Sequence, residues 1–302
     1  MDEGAAAIEV EGLHKHFRSG LLRRRVHRAL AGVSFRVERG QVVGLIGPNG
    51  GGKTTTFGCL LGLLRPSAGR VRLFGECPRR PATRRCLGYL PETSPFPGVL
   101  TARQGLEFYG ALAGLPRRER RRRAAALLAR LGLAAAADRR LAVFSKGMLR
   151  RFGLAQALIA APPLLLLDEP ASGLDPLGAR ELAAVIAEER ARGTTVLLAS
   201  HELAALESLC DAIVLLHQGR VLLEGALPQL LASGSGVRLE VEGLDAPALA
   251  ALRQWIGAHG GRLTAVEPRR ERLGELFLRA LERAGAGAQA PVLPARGTEH
   301  GA

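Results

Sequence analysis

The segment GPNGGGKT (47–54) fits the pattern G-x-x-x-x-G-K-[ST] and directly follows VVGLIG (42–47), a continuous apolar run of the kind that forms a buried strand. That combination has a specific chemistry. Gly47, Gly50, Gly51 and Gly52 let consecutive backbone N–H groups curl around phosphate oxygens, with Pro48 and Asn49 completing the loop. A helix expected to begin at Lys53 adds the positive end of its dipole. Lys53 is then placed to reach the β- and γ-phosphates, and the Thr54 hydroxyl to bind Mg2+. Composition makes the lysine informative, because Lys15, Lys53 and Lys146 are the only lysines in a chain whose other basic residues are arginine. These residues predict a nucleoside triphosphate as ligand.

A second chemical group closes LLLLDEP (164–170), where four leucines read as a core strand and two carboxylates follow at its C-terminal end. Ligands of such sheets bind at that end. Asp168 suits Mg2+, bound directly or through water, and Glu169 suits polarising a water for attack on the γ-phosphate. Alone this would be a strand ending in a polar turn; beside a phosphate loop it gains a role. Ser145, in FSKGM (144–148), reads independently as the N-cap of a helix beginning near Lys146.

Elements must hold these residues in place. AIEVEGL (7–13) and ALAGVSFRVERG (29–40) alternate apolar and polar residues, with a basic insertion, SGLLRRRVHR (19–28), between them. Residues 102–161 read mostly as helix, including the arginine run RRERRRR (117–123). A strand at 164–168, a helix at 177–192, a strand at 194–200 and a helix at 201–210 follow, then a strand at 212–217, a turn at Gln218-Gly219 and a strand at 221–225. Strands alternating with helices predict an α/β fold with a parallel sheet covered on both faces. Ser233-Gly234-Ser235-Gly236 reads as a linker, and 237–283 as a small strand–helix–strand–helix appendage. Residues 284–302 lack periodicity and are expected to be disordered.

Composition bounds the rest. The 302 residues suit about two domains, and 47% hydrophobic content can build a core without staples. Cys59, Cys77, Cys86 and Cys210 form no C-x-x-C pair, so neither a zinc site nor a disulfide framework is indicated, and a reducing compartment is expected. MDEGAAAIEV lacks the apolar segment of a signal peptide. The greasiest stretch, 154–167, is broken by Gln156 and Pro162-Pro163, so the chain is expected to be soluble by itself. A net charge of +14 admits nucleic acid, an anionic membrane surface or acidic small molecules, although a global compositional bias toward arginine is the favoured reading. With 4% aromatics and no stacking pattern, nucleic acid is not expected as a partner.

GPNGGGKTT (47–55), FSKGM (144–148), LLLLDEP (164–170), SGLDP (172–176) and His201 in ASHEL occur in this order. Over about residues 6–232 the chain thereby resembles the ATP-binding cassette (ABC) ATPases in their Walker A, signature, Walker B, D-loop and H-loop motifs. The resemblance implies a P-loop NTPase fold at 1–232, with an antiparallel β subdomain and a helical subdomain at about 93–161, and leaves 233–283 as the appendage. It implies ATP and Mg2+, with Gly47 to Thr55 on the nucleotide. Phe17, in LHKHF, holds the place of the aromatic that stacks on adenine, an ordinary core phenylalanine being the alternative. Ser145 and Gly147, with Lys146 between them, match signature positions that reach the γ-phosphate held by an opposite subunit. Asp175 matches an aspartate that works across the dimer interface, and His201 a catalytic histidine that contacts the γ-phosphate and helps position water.

Two departures stand out. The usual L-S-G-G-Q reads Phe144-Ser145-Lys146-Gly147-Met148 here, a variant resembling exporter-like and ABC-2-type ATPases. Lys146 either attracts the opposing phosphates or faces solvent, and Met148 is a candidate for packing in the interface. Glu92, in LGYLPE (87–92), replaces the glutamine that offers Mg2+ an oxygen and links the site to the membrane subunit. A glutamate also offers oxygen but adds negative charge. The arginine run is either a solvated helix face or a contact for phospholipid headgroups or an acidic partner loop.

The resemblance implies an ATPase subunit that closes head to tail, as a homodimer or heterodimer, over two ATP molecules. It would sit peripherally on the cytoplasmic face of the membrane and energise a separate permease, with export the expected direction and 93–115 the expected docking surface. A soluble ABC ATPase acting on ribosomes or nucleic acid is the alternative, weakened by the single cassette. A purely structural phosphate-binding module conflicts with the presence of both Glu169 and His201. Cargo specificity belongs to the membrane partner.

Overall fold

The computed structural model describes residues 5–19, 25–93, 95–200, 209–231 and 245–260. Contacts divide the chain into two units, Met1–Ala232 and Ser233–Ala302. The first unit begins with β1 (Ile8–Ser19), β2 (Arg25–Val37), β3 (Val42–Ile46), α1 (Lys53–Leu60), β4 (Ala68–Leu73), α2 (Pro81–Arg84) and β5 (Leu87–Leu90). Three helices follow, α3 (Ala102–Leu112), α4 (Arg117–Arg130) and α5 (Lys146–Leu158). The unit closes with β6 (Leu164–Asp168), α6 (Pro176–Ala191), β7 (Thr195–Ser200), β8 (Ala212–His217), β9 (Arg220–Ala226) and α7 (Leu227–Leu231).

Two sheets form, one antiparallel with order β2-β1-β4 and one six-stranded with order β5-β6-β7-β3-β8-β9. Every pairing of the larger sheet is parallel except β8 with β9. Its central strands are buried throughout, as a sheet covered on both faces requires. Alternation sends their side chains to opposite sides. Val42, Ile46, Leu165, Leu167, Val196 and Leu198 enter one core with α3, α4, α5 and α6. Val43, Leu45, Leu164, Leu166, Leu197 and Ala199 enter the other, with α1 and the antiparallel sheet.

The antiparallel hairpin is longer than its alternation predicts. β1 continues to Ser19 and β2 already begins at Arg25, inside the expected insertion. Register shifts after Val10, Leu13 and Lys15 reset the side-chain phase, so no single period runs through the sequence. β4 and β5 were not expected; β4 carries two arginines among six residues, and β5 is only four residues long. The helix expected at 201–210 lies outside the described residues up to 208, as do the tail at 284–302 and most of the appendage. Within 233–283 the described element is α8 (Ala246–Ala258), capped by Asp245. No disulfide joins the four cysteines, all of which lie among the described residues.

The helices between β5 and β6 carry their own start signals. Thr101 caps α3 through a reciprocal box with Gln104, at 3.2 and 3.0 Å. α4 starts on Pro116 with no side-chain cap, and its arginines oppose the helix dipole. Part of that charge is paired internally: Arg122 and Arg123 hold the Glu119 carboxyl down to about 2, and Arg121 pairs with Glu107. At its other end, Arg130 ties α4 to α6 through Glu188 and Glu189.

Candidate nucleotide site

β3 delivers the chain to the phosphate loop, and β8 leaves no room there for anything but glycine. A Cβ on Gly47 would lie 2.2 Å from the Leu216 carbonyl oxygen. Gly52 caps α1 in the left-handed region at φ 112, where a Cβ would also press on Leu30 at 2.8 Å. Lys53, the first residue of α1, is buried, and its ammonium donates to the carbonyls of Gly47 at 2.6 Å and Pro48 at 3.3 Å. The loop's curl is therefore organised around this one cation, with Thr54 exposed beside it and Thr55 half-buried.

β6, held between β5 and β7, places two acids opposite. Asp168 and Glu169 are both buried. Glu169 adopts φ 47, a left-handed conformation costing a non-glycine residue about 1–2 kcal/mol, and its N–H donates to Ala199 at 2.9 Å. Glu92, beyond β5, is exposed. A cavity of about 230 Å³ brings these groups together: Pro48, Asn49, Gly50, Gly52, Lys53, Thr54 and Thr55 on one side, Glu92, Asp168 and Glu169 on the other. His27, Ala29 and Ser172 also line it and were not expected. A second cleft of about 300 Å³ lies between α4, α5 and α6, away from the phosphate loop.

The three carboxylates make the cavity hungry for positive charge. Burial pushes the Asp168 carboxyl up to about 6, Glu92 and Glu169 push it further, and Arg150 and Lys53 pull it down. Burial, with Asp168, likewise takes the Tyr89 hydroxyl up to about 12.

Other expected residues fall elsewhere. Phe17 is 38% exposed, so it is not a core residue, and the Lys15 ammonium lies 5.1 Å from its ring centre. It does not line the cavity, but its cross-strand partner His27 does. Ser145 caps α5 as expected, its hydroxyl accepting from Met148 N–H at 3.2 Å. Lys146 is exposed and its side chain runs beside Gly173, while Gly147 faces Leu174. Met148 packs against its own chain's core. Asp175 caps α6, accepting from Gly178 N–H at 2.8 Å. These signature and D-loop residues thus gather at the exposed N-termini of α5 and α6, outside the chain's own cavity. His201 lies outside the described residues.

Arg150 was missed in the sequence. It is 6% exposed and hydrogen-bonds the chain on either side of the acids, at Pro91, Glu92, Asp168, Glu169 and Pro170. Its helical phase, on the α5 face shared with Gly153, Leu154 and Ala157, is the signal that could have found it.

A parallel sheet that sets a phosphate loop against an acidic strand end, with a capped helix presenting a second loop outward, defines a P-loop ATPase cassette. The family model for the ABC transporter matches residues 30–172. An uncharacterised ABC transporter ATP-binding protein of Synechocystis is 39% identical, covering 81% of this chain and 70% of its own. The Nod factor export ATP-binding protein I of Paraburkholderia xenovorans is also 39% identical, over 72% of this chain and 73% of its own. A solved ATP-binding subunit of an ABC transporter superposes with TM-score 0.67 at 35% identity, covering 74% of this chain and 92% of its own. The chain belongs to the ABC transporter ATP-binding family. It is an ATP-binding and ATP-hydrolysing cassette of an ABC transporter, and the ribosome-directed alternative is not favoured. Among the described residues no helix is long and apolar enough to cross a membrane.

Proposed function

We propose that this chain binds ATP between the Lys53 loop and the Asp168–Glu169 strand end and hydrolyses it to drive an exporting permease. The observation that carries the reading is the single cavity shared by the loop and the acids. Backbone N–H groups of residues 49–54 and the α1 N-terminus hold the phosphates, and Lys53 moves from its carbonyl partners onto the β/γ-phosphates. Glu169 accepts a proton from the attacking water, and His201 contacts the γ-phosphate. Thr54, Asp168 and Glu92 offer the hard oxygen ligands that suit Mg2+. The fit is electrostatic as well, since the clustered carboxylates that raise Asp168 are relieved by a cation. When bound, Mg2+ supplies charge neutralisation to the triphosphate.

Ser145 and Lys146, exposed at the start of α5, and the half-buried Gly147 complete the nucleotide site of a second subunit, with Asp175 beside them at the interface. The permease seats on 93–115, where Val99, Phe108 and Leu112 are exposed, which puts the cassette on the cytoplasmic side of the membrane. The name of the Nod factor export relative and the S-K-G-M signature support export. Glu169→Gln should retain ATP binding while turnover falls at least about a hundredfold, and Lys53→Ala should lose nucleotide affinity. Steady-state phosphate release and equilibrium nucleotide binding measure both; undiminished hydrolysis by the glutamine variant refutes the assignment.

A further inference from the structure

We propose that Arg150 is a positioning residue for hydrolysis, acting through the main chain that carries Glu92, Asp168 and Glu169. This rests on the ATPase reading above. A guanidinium has five N–H groups, and here all five have backbone carbonyl acceptors. Nε donates to Pro170 at 3.1 Å, Nη1 to Pro91 and, at 3.1 Å, to Glu92, and Nη2 to Asp168 and Glu169.

The acceptors are peptide oxygens, so the guanidinium holds the chain on which the acids are mounted. Two segments are fixed at once: Pro91–Glu92 beyond β5, and Asp168–Pro170 at the end of β6. Glu169 keeps its left-handed backbone within that second segment, and such a conformation persists only where its surroundings over-determine it. Desolvation opposes the buried charge, while Asp168, Glu92 and Glu169 sustain it. The anchor itself is α5, whose first residue follows Ser145. One side chain therefore joins the helix that serves the partner's nucleotide to the acids that serve this chain's own. A lysine, with three donors on a point charge, cannot span five acceptors in a plane.

The test measures ATP turnover, nucleotide affinity and thermal melting of full-length Arg150→Lys and Arg150→Met beside Glu169→Gln. Arg150→Lys should stay folded and keep ATP affinity within about threefold, while kcat drops about 10- to 100-fold, the scale of a misplaced catalytic group. Arg150→Met should drop kcat further. Wild-type kcat in Arg150→Lys overturns the inference. So does a loss of kcat and affinity that merely tracks the loss of folded protein, or failure of both variants to fold, since each makes the residue purely architectural. Undiminished turnover by Glu169→Gln instead overturns the ATPase reading, and the inference with it.

Discussion

Burial and two neighbouring carboxylates hold the Asp168 carboxyl at about 6, against 3.8 for an ordinary aspartate. The folded protein therefore binds that proton more tightly than the unfolded chain. Its contribution to stability is fully present below about pH 4 and is lost as pH rises through about 6, leaving a cost of about 3 kcal/mol at pH 8. Asp168→Asn should accordingly raise the melting temperature at pH 8 in nucleotide- and magnesium-free buffer, with the gain gone at pH 4. A lower melting point at pH 8 would contradict this. The site stores electrostatic strain that a bound cation would relieve, a common trade of stability for activity. Lys53, Asp168 and Glu169 were legible in the sequence because loop and strand chemistry demand those residue types. Arg150 was not, because its partners are peptide oxygens of two segments remote from it in sequence and carry no residue-type signature.

At the scale of elements, the strands β3, β6 and β7 were readable as runs of apolar residues, since a strand buried on both faces has no polar positions to break the run. Close approach between neighbours was not readable. Gly47 stands where β3 passes β8, and Gly47→Ala forces a Cβ into the Leu216 carbonyl. That substitution should cost about 3 kcal/mol or more, seen as a fall in the denaturation midpoint; a change below about 0.5 kcal/mol would show that β8 can give way. Ser145 lies at the opposite extreme. Its capping role follows from its type and place before an apolar helix, and the fold realises it as read.

For the whole molecule, the cavity and the exposed signature loop belong to one chain but do not meet within it. The proposed closure over ATP with a second cassette would resolve that separation. Glu169→Gln, proposed to retain ATP unhydrolysed, should elute from size exclusion as a dimer with ATP and as a monomer without it, and Lys53→Ala should remain monomeric in both. A monomeric Glu169→Gln protein saturated with ATP would argue against pairing of two copies of this chain. The sequence by itself determined the layered α/β class, the phosphate loop and the acidic strand end, because buried parallel strands and phosphate-binding loops restrict local composition severely. Only the tertiary structure decided that β5 and β6 lie side by side, that His27 rather than Phe17 lines the cavity, and that one buried guanidinium gathers the ends of both strands. Those outcomes depend on contacts between segments remote in sequence, which local propensity does not encode.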